Sequence, residues 1–379
     1  MQPELGYSTV PLAKQEIKVA AMQMATERVK VANPAPGIQR NLRTLLRMCD
    51  TARGHDLLVF PEFALTRGEA GCCRNWTREQ WLRVAIKVPG PETEAIGKKA
   101  KELGCYIEFA SYTQQPDWPG HFFNASIIIA PTGEIIHNHW KAYFGYPGIG
   151  IEYATTVFDV LSEFVRRYGW DAVWPVSRTP IGNLATYICS EGMLQEAARC
   201  LAINGAEILC RSFGGGGPGN RGGKFLTEFR GDCAYNDCWG IYANNGTHES
   251  LNPVQVAMAG GSMIVNPLGQ VVAQADSVGE EIVSATIPIG QSRTSAYSFG
   301  HMPGNPHMTP TKYRGGLRTE LYIPLFMQNQ GQFPPDLLTA YQRHNKGALP
   351  PDYDAARKWY LEHARWELEY VDKPKTIVD

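Results

Sequence analysis

Apolar and polar positions along this chain recur with two periods, and stretches of the two kinds alternate. Ile17 to Gln23 alternates and then turns apolar, as a half-buried strand does. Leu42, Leu45, Leu46 and Cys49 recur at helical spacing over 38–52. His55 to Phe63 reads as a buried strand ending at Pro61 and Glu62. Trp76–Ile86 and Thr93–Leu103 read as helices, the second stopped by Gly104. Cys105–Ser111 and Ala125–Ala130 read as strands, and Pro131–Glu134 turns the latter back into Ile135 and His137, which predicts a mixed sheet. Further on, Leu184–Ile188, Ala206–Cys210, Gly240–Asn245 and Glu281–Ile287 read as strands, and Ser262–Ala273 as a strand–turn–strand. Met193–Ile203 and Phe225–Asn236 read as helices, and 157–174 as an amphipathic insertion. Repeated β-α alternation with meander pairs predicts an α/β fold with helices outside and two sheets facing each other.

No breakpoint before residue 290 looks like a linker. From about Gly290 the character changes: Pro303, Pro306, Pro310, Pro324, Pro334, Pro335, Pro350 and Pro351 interrupt any long element. Ala355–Tyr370 is the one good helix expected there. The division expected is a catalytic-type domain over 1–290 and an extension over 291–379, read as an arm wrapping a neighbouring subunit.

Composition narrows the function. Of 379 residues, 44% are hydrophobic and 19% charged, the balance of a globular protein with a substantial core. A net charge of −1 argues against nucleic-acid or membrane-surface binding driven by bulk electrostatics. No segment has the length and apolarity of a membrane span, and Met1–Tyr7 lacks the basic-then-apolar layout of a secretory signal. Nine cysteines without regular spacing imply reduced thiols and a cytoplasmic setting. The glycine run from Gly214 to Gly223 is no phosphate loop, because Lys224 is followed by Phe225.

Candidate chemistry sits at strand ends. Between the strand closing at Ile188 and the following helix lies Cys189, where a sharp turn presents a side chain at the sheet's carboxyl edge. Backbone N–H groups there stabilise a thiolate, and the Ser190 N–H could serve an oxyanion. Glu62 closes its own strand behind a proline, and Lys141 follows another strand pair and opens an aromatic loop over 142–153. Together they offer a base, a cation and a thiol nucleophile.

These residues, with Val19–Gln23, Leu58–Phe63, His139–Ala142, Tyr187–Arg199, Asn204–Leu209, Ala243–Asn245 and Gly261–Gly269, resemble the nitrilase (carbon–nitrogen hydrolase) superfamily over residues 17–290. The resemblance implies a four-layer αββα sandwich of two mixed sheets, and association through helical faces into a homo-oligomer. It implies a Glu62–Lys141–Cys189 triad acting through a thioester, without metal or organic cofactor. A second glutamate in the loop after the lysine is common in the family; Glu152 is the candidate and Glu163 its competitor.

Ser190–Gly192, Glu196, Arg199 and Arg211–Phe213 look closest to the aliphatic amidase and formamidase branch. The implied substrate is a small amide, with Tyr143, Phe144, Tyr146 and Phe213 as candidate pocket aromatics. Nitrile and N-carbamoyl hydrolysis use the same triad, and an idle relative acting as a binding module is the reading from another class. A metal amidohydrolase is a third: His137 and His139 form the only His-x-His, read as strand surface with no carboxylate nearby in sequence.

Overall fold

The computed structural model describes residues 7–68, 76–143, 154–215, 223–247, 259–294, 319–328 and 335–352, with scattered positions up to 362. Glu152, Phe144, Tyr146 and most of the helix expected over Ala355–Tyr370 lie outside the described residues.

Two mixed sheets form the centre. In the first, β1 (Ile17–Gln23) pairs antiparallel with β13 (Glu281–Ile287) and parallel with β2 (Leu57–Val59). Next come β4 (Tyr106–Gln114), β5 (Phe123–Ile129) and β6 (Ile135–Trp140), with the two-residue β3 (Ile86–Lys87) on the far end of β4. The second runs β12 (Val271–Gln274), β11 (Met263–Val265), β10 (Trp239–Asn244), β9 (Ile208–Phe213), β8 (Gly182–Ile188), β7 (Val176–Thr179). The strand alternation sets the layers. Val19 and Ala21 pack between the sheets with Leu184, Ile208 and Ile241, whereas Ala20 and Met22 face helix α1 (Ala35–Thr51) and α3 (Pro91–Leu103). On the second sheet Ala185, Tyr187 and Tyr242 face α5 (Gln195–Ile203) and α6 (Lys224–Asn236). Helix, sheet, sheet and helix thus make the four-layer αββα sandwich. Each fully buried Leu or Ile contributes about 1.5–3 kcal/mol.

The shorter helices are α2 (Arg78–Val84), α4 (Leu161–Tyr168) and α7 (Ile289–Thr294). The insertion over 157–174 is α4 between two 3-10 turns, with Phe164 buried against Trp140. The tail differs from expectation. Its described residues hold α8 (Thr319–Gln328, with Pro324 inside) and α9 (Leu337–His344) among the prolines, and are helical again at 354–356, 358–359 and 362, where the expected helix begins. Leu337 and Leu338 are buried in the main cores, and the Arg78 Nε and N–H donate to the carbonyls of Pro350 and Pro351. Residues 335–352 therefore pack onto the chain's own sandwich. Among the described residues no helix is long and apolar enough to cross a membrane.

Candidate active site

Glu62 leaves the end of β2 with its side chain fully buried. The Phe60 N–H still donates to the Glu108 carbonyl of β4, but the Glu62 N–H donates across to the Phe213 carbonyl of the other sheet, at 3.3 Å. Asn245, just past β10, fastens the same junction: its Nδ2 donates to the Glu62 carbonyl at 3.0 Å. Phe63 takes a left-handed φ of 60°, turning the chain away. Gly214 explains the start of the glycine run, since a Cβ there would sit 2.8 Å from Glu62 Oε2.

Lys141 follows β6 and is held on both sides of its backbone, by the Asn124 carbonyl and the Val157 N–H. Its ammonium, 1% exposed, donates to Glu62 Oε1 at 2.9 Å, and Asn124 Nδ2 donates to the same oxygen at 2.7 Å. A buried ion pair is costly to desolvate and adds little net stability.

Cys189 sits at the bend after β8, partly exposed, with a left-handed φ of 48°. The expected helix does not begin at once: a 3-10 turn over Cys189–Met193 precedes α5. The backbone N–H groups that directly follow Cys189 in the chain, Ser190's among them, belong to this turn rather than to α5. Arg211, fully buried, clamps the bend by donating from Nε and Nη2 to the Cys189 carbonyl at 3.2 and 2.7 Å. The guanidinium lies over Tyr187, Phe213 and Tyr242 at 5.4, 5.1 and 5.9 Å. It occupies space that a side chain at Gly192 would fill, a Cβ there falling 2.4 Å from Cζ. Asp232, which accepts from Tyr187 Oη, is pushed up to about 7 by burial despite the opposing pull of Arg211. Burial raises the Tyr242 phenol well above its usual range; Arg211 opposes this, while the charges of Cys189 and Glu62 both add to it.

Of the other predicted site residues, Tyr143 donates its hydroxyl to the Glu191 carbonyl at 2.8 Å. The Phe213 ring is buried against Phe225 and Tyr242. Glu163 lies on α4 paired with Arg166 and Arg167, which hold it down to about 2.

The His-x-His pair is corrected. His137 and His139 are buried between the sheets, not surface. The His137 nitrogens meet the Ser177 and Thr186 hydroxyls, and burial holds this ring down to about 3. His139 Nε2 faces the Glu191 carboxylate at 3.0 and 3.1 Å. Among the described residues no group of three or more His, Cys, Asp and Glu gathers as a metal site. Sequence reasoning also missed the parts played by Asn124, Asn245 and Glu191. For the two asparagines the signal was an amide beside an otherwise apolar strand.

The chain belongs to the carbon–nitrogen hydrolase family, which it matches over residues 18–297. It is 31% identical over 249 residues to a formamidase of Helicobacter acinonychis, covering 64% of this chain and 62% of that one. It is 33% identical over 181 residues to a formamidase of Bacillus cereus, covering 47% of each. The chain thus spans about half to three-fifths of these relatives. Its fold is that of the Nesterenkonia AN1 amidase from the nitrilase superfamily: for one mutant of it the TM-score is 0.58 at 17% identity, over 84% of this chain and 100% of that one. Another structure of that amidase, with a TM-score of 0.57 at 16% identity, covers 82% of this chain and 99% of its own and is described as showing Michael addition of acrylamide at its active-site cysteine.

Proposed function

We propose that this chain hydrolyses the C–N bond of a small linear amide through a Cys189 thioester. The observation that carries the reading is Glu62 Oε1, buried and held by Lys141 Nζ at 2.9 Å and Asn124 at 2.7 Å, while the thiol stands on a bend with a left-handed φ of 48°. Glu62 takes the Cys189 proton as the sulfur attacks the amide carbon. Lys141 Nζ and the Ser190 N–H receive the oxyanion. Collapse breaks the C–N bond, and Glu62 hands its proton to the leaving amine. A water then enters, Glu62 takes one of its protons, and hydroxide attacks the thioester. The acid departs, and the proton on Glu62 returns to the sulfur. The formamidase relatives support a short acyl group and release of ammonia.

The chain is further proposed to work as a cytoplasmic homo-oligomer. Cys49, Cys105, Cys200, Cys210 and Cys233 form no disulfide, which supports a reducing setting. Ile203 on α5 and Tyr235 on α6 are 50% and 60% exposed, which supports association through these helices. Light scattering after gel filtration tests the assembly, and a monomer would refute it.

The test of function is intact-protein mass and ammonia release with a panel of amides, nitriles and carbamoyl compounds. Acylation at Cys189 with amide-dependent ammonia, both lost in Cys189→Ala, is the expected result. Turnover only of nitriles or carbamoyl compounds overturns the substrate class. Neither adduct nor ammonia from any member overturns catalysis in favour of a binding role.

A further inference from the structure

Glu191 lies two residues beyond Cys189 with its side chain fully buried, and the thioester sequence above gives it no part. Its carboxylate has three partners. Oε2 accepts the Ile188 N–H at 2.5 Å, and Oε1 accepts the Ala142 N–H at 2.6 Å. His139 Nε2 lies against both oxygens, and the His139 ring stacks on Trp174 at 5.7 Å. Ile188 immediately precedes Cys189, and Ala142 immediately follows Lys141. These backbones belong to different sheets, since β8 lies in one and β6 in the other. A carboxylate that merely capped its own turn would satisfy donors of that turn. This one also takes a donor from the opposite sheet.

We propose that Glu191 is a positioning residue that fixes Lys141 and Cys189 relative to each other, with His139 holding its carboxylate in place. The inference rests on the thioester reading. The oxyanion cation and the nucleophile reach the reacting carbon from two sheets, and beyond the cross-sheet bonds of Glu62, Asn245, Ser212 and His137 the Glu191 carboxylate ties the backbone directly beside each of them. A misplacement of about 1 Å costs about 100-fold in rate. The bridge acts through backbone N–H groups, so it leaves both functional side chains available to substrate.

The test uses the full chain with Glu191→Gln, Glu191→Asp and His139→Gln. Glu191→Gln keeps the shape but turns an NH2 toward one of the two N–H donors. Glu191→Asp keeps the charge and is too short to span both. Expected are folded proteins by circular dichroism, with KM within about threefold and kcat per titratable Cys189 lowered about 10- to 100-fold in the two Glu191 variants. His139→Gln is expected to fall in the same direction by less. A kcat per titratable Cys189 within twofold of wild type in all three variants, whether or not melting temperature drops, overturns the proposal. If Glu191→Gln does not fold, Glu191→Asp and His139→Gln decide it alone by the same criterion. Should the wild type turn over nothing, the thioester reading fails by itself. The bridge is then read from the rate of Cys189 alkylation by iodoacetamide: a fivefold or greater change in the Glu191 variants supports it, and unchanged rates overturn it.

Discussion

The layer between the two sheets has two ends, and they are built from opposite chemistry. At one end the facing positions are aliphatic: Ile17 and Val19 on β1, Leu184 on β8, Ile208 on β9, Ile241 on β10. Two residues at a time toward the other end, the same strands turn polar. The facing series runs Val19, Ala21, Gln23 on β1; Ile208, Cys210, Ser212 on β9; Ile241, Ala243, Asn245 along and beyond β10; and Ile128, Ser126, Asn124 on antiparallel β5. These polar positions are as buried as the aliphatic ones, most at 0% exposure. They bond across the gap: Ser212 Oγ to Glu108 Oε1 and the Phe60 carbonyl, His137 to Thr186, Asn245 to Glu62. The aliphatic end supplies stability and the polar end spends part of it on an arrangement. Burial alone therefore does not distinguish core from site here; the gradient along each strand does.

Four substitutions sharpen that contrast. Cys189→Ala should abolish amide turnover, by about 1,000-fold or more, with a melting temperature close to wild type. Turnover that survived at a tenth of wild type would remove the thiol from the mechanism. Leu184→Ala, at the aliphatic end, should lower unfolding free energy by about 2–5 kcal/mol while leaving kcat per folded molecule unchanged. Denaturant titration beside active-site titration reads both, and a parallel loss of kcat would mean that the two ends are not separable. Gly214→Ala pushes a methyl toward Glu62 Oε2 and should lower kcat about tenfold with a small change in stability. An unaltered kcat would show that the carboxylate tolerates displacement.

The smallest effect concerns Glu108, whose carboxyl burial pushes up to about 8 although Ser126 and Ser212 donate to it. The folded chain keeps a proton there that the unfolded chain releases near its ordinary value of 4.5. Between these values the native state binds more protons, so this group's contribution to stability falls as pH rises from about 4.5 to 8. Glu108→Gln should flatten that part of the melting-temperature profile. An identical slope in the variant would assign it to other groups.

The sequence made the aliphatic end legible and the polar end legible only in part. Alternation giving way to apolarity located β1, and a short apolar run located β8, because these strands are buried on both faces, one against the other sheet and one against helices. Edge strand β7, with Ser177 and Arg178 half-buried, carries no such contrast and went unread. Helix α9 was hidden by Pro334 and Pro335, which stand ahead of it rather than inside it. Glu62, Lys141 and Cys189 stood out at strand ends. His139 did not, because the carboxylate it meets is 52 residues away. Arg211 reads as a pocket edge until its guanidinium is seen turned inward onto the Cys189 carbonyl.

That inward guanidinium has a consequence for how such a chain can drift. Arg211 and Gly192 share one volume, the long side chain of the first filling the place of the absent side chain of the second. Enlarging Gly192 alone drives atoms together, and shrinking Arg211 alone opens a void and drops the cysteine's carbonyl. A route to any other pair of residues crosses a valley of unfit intermediates, unless both positions change together.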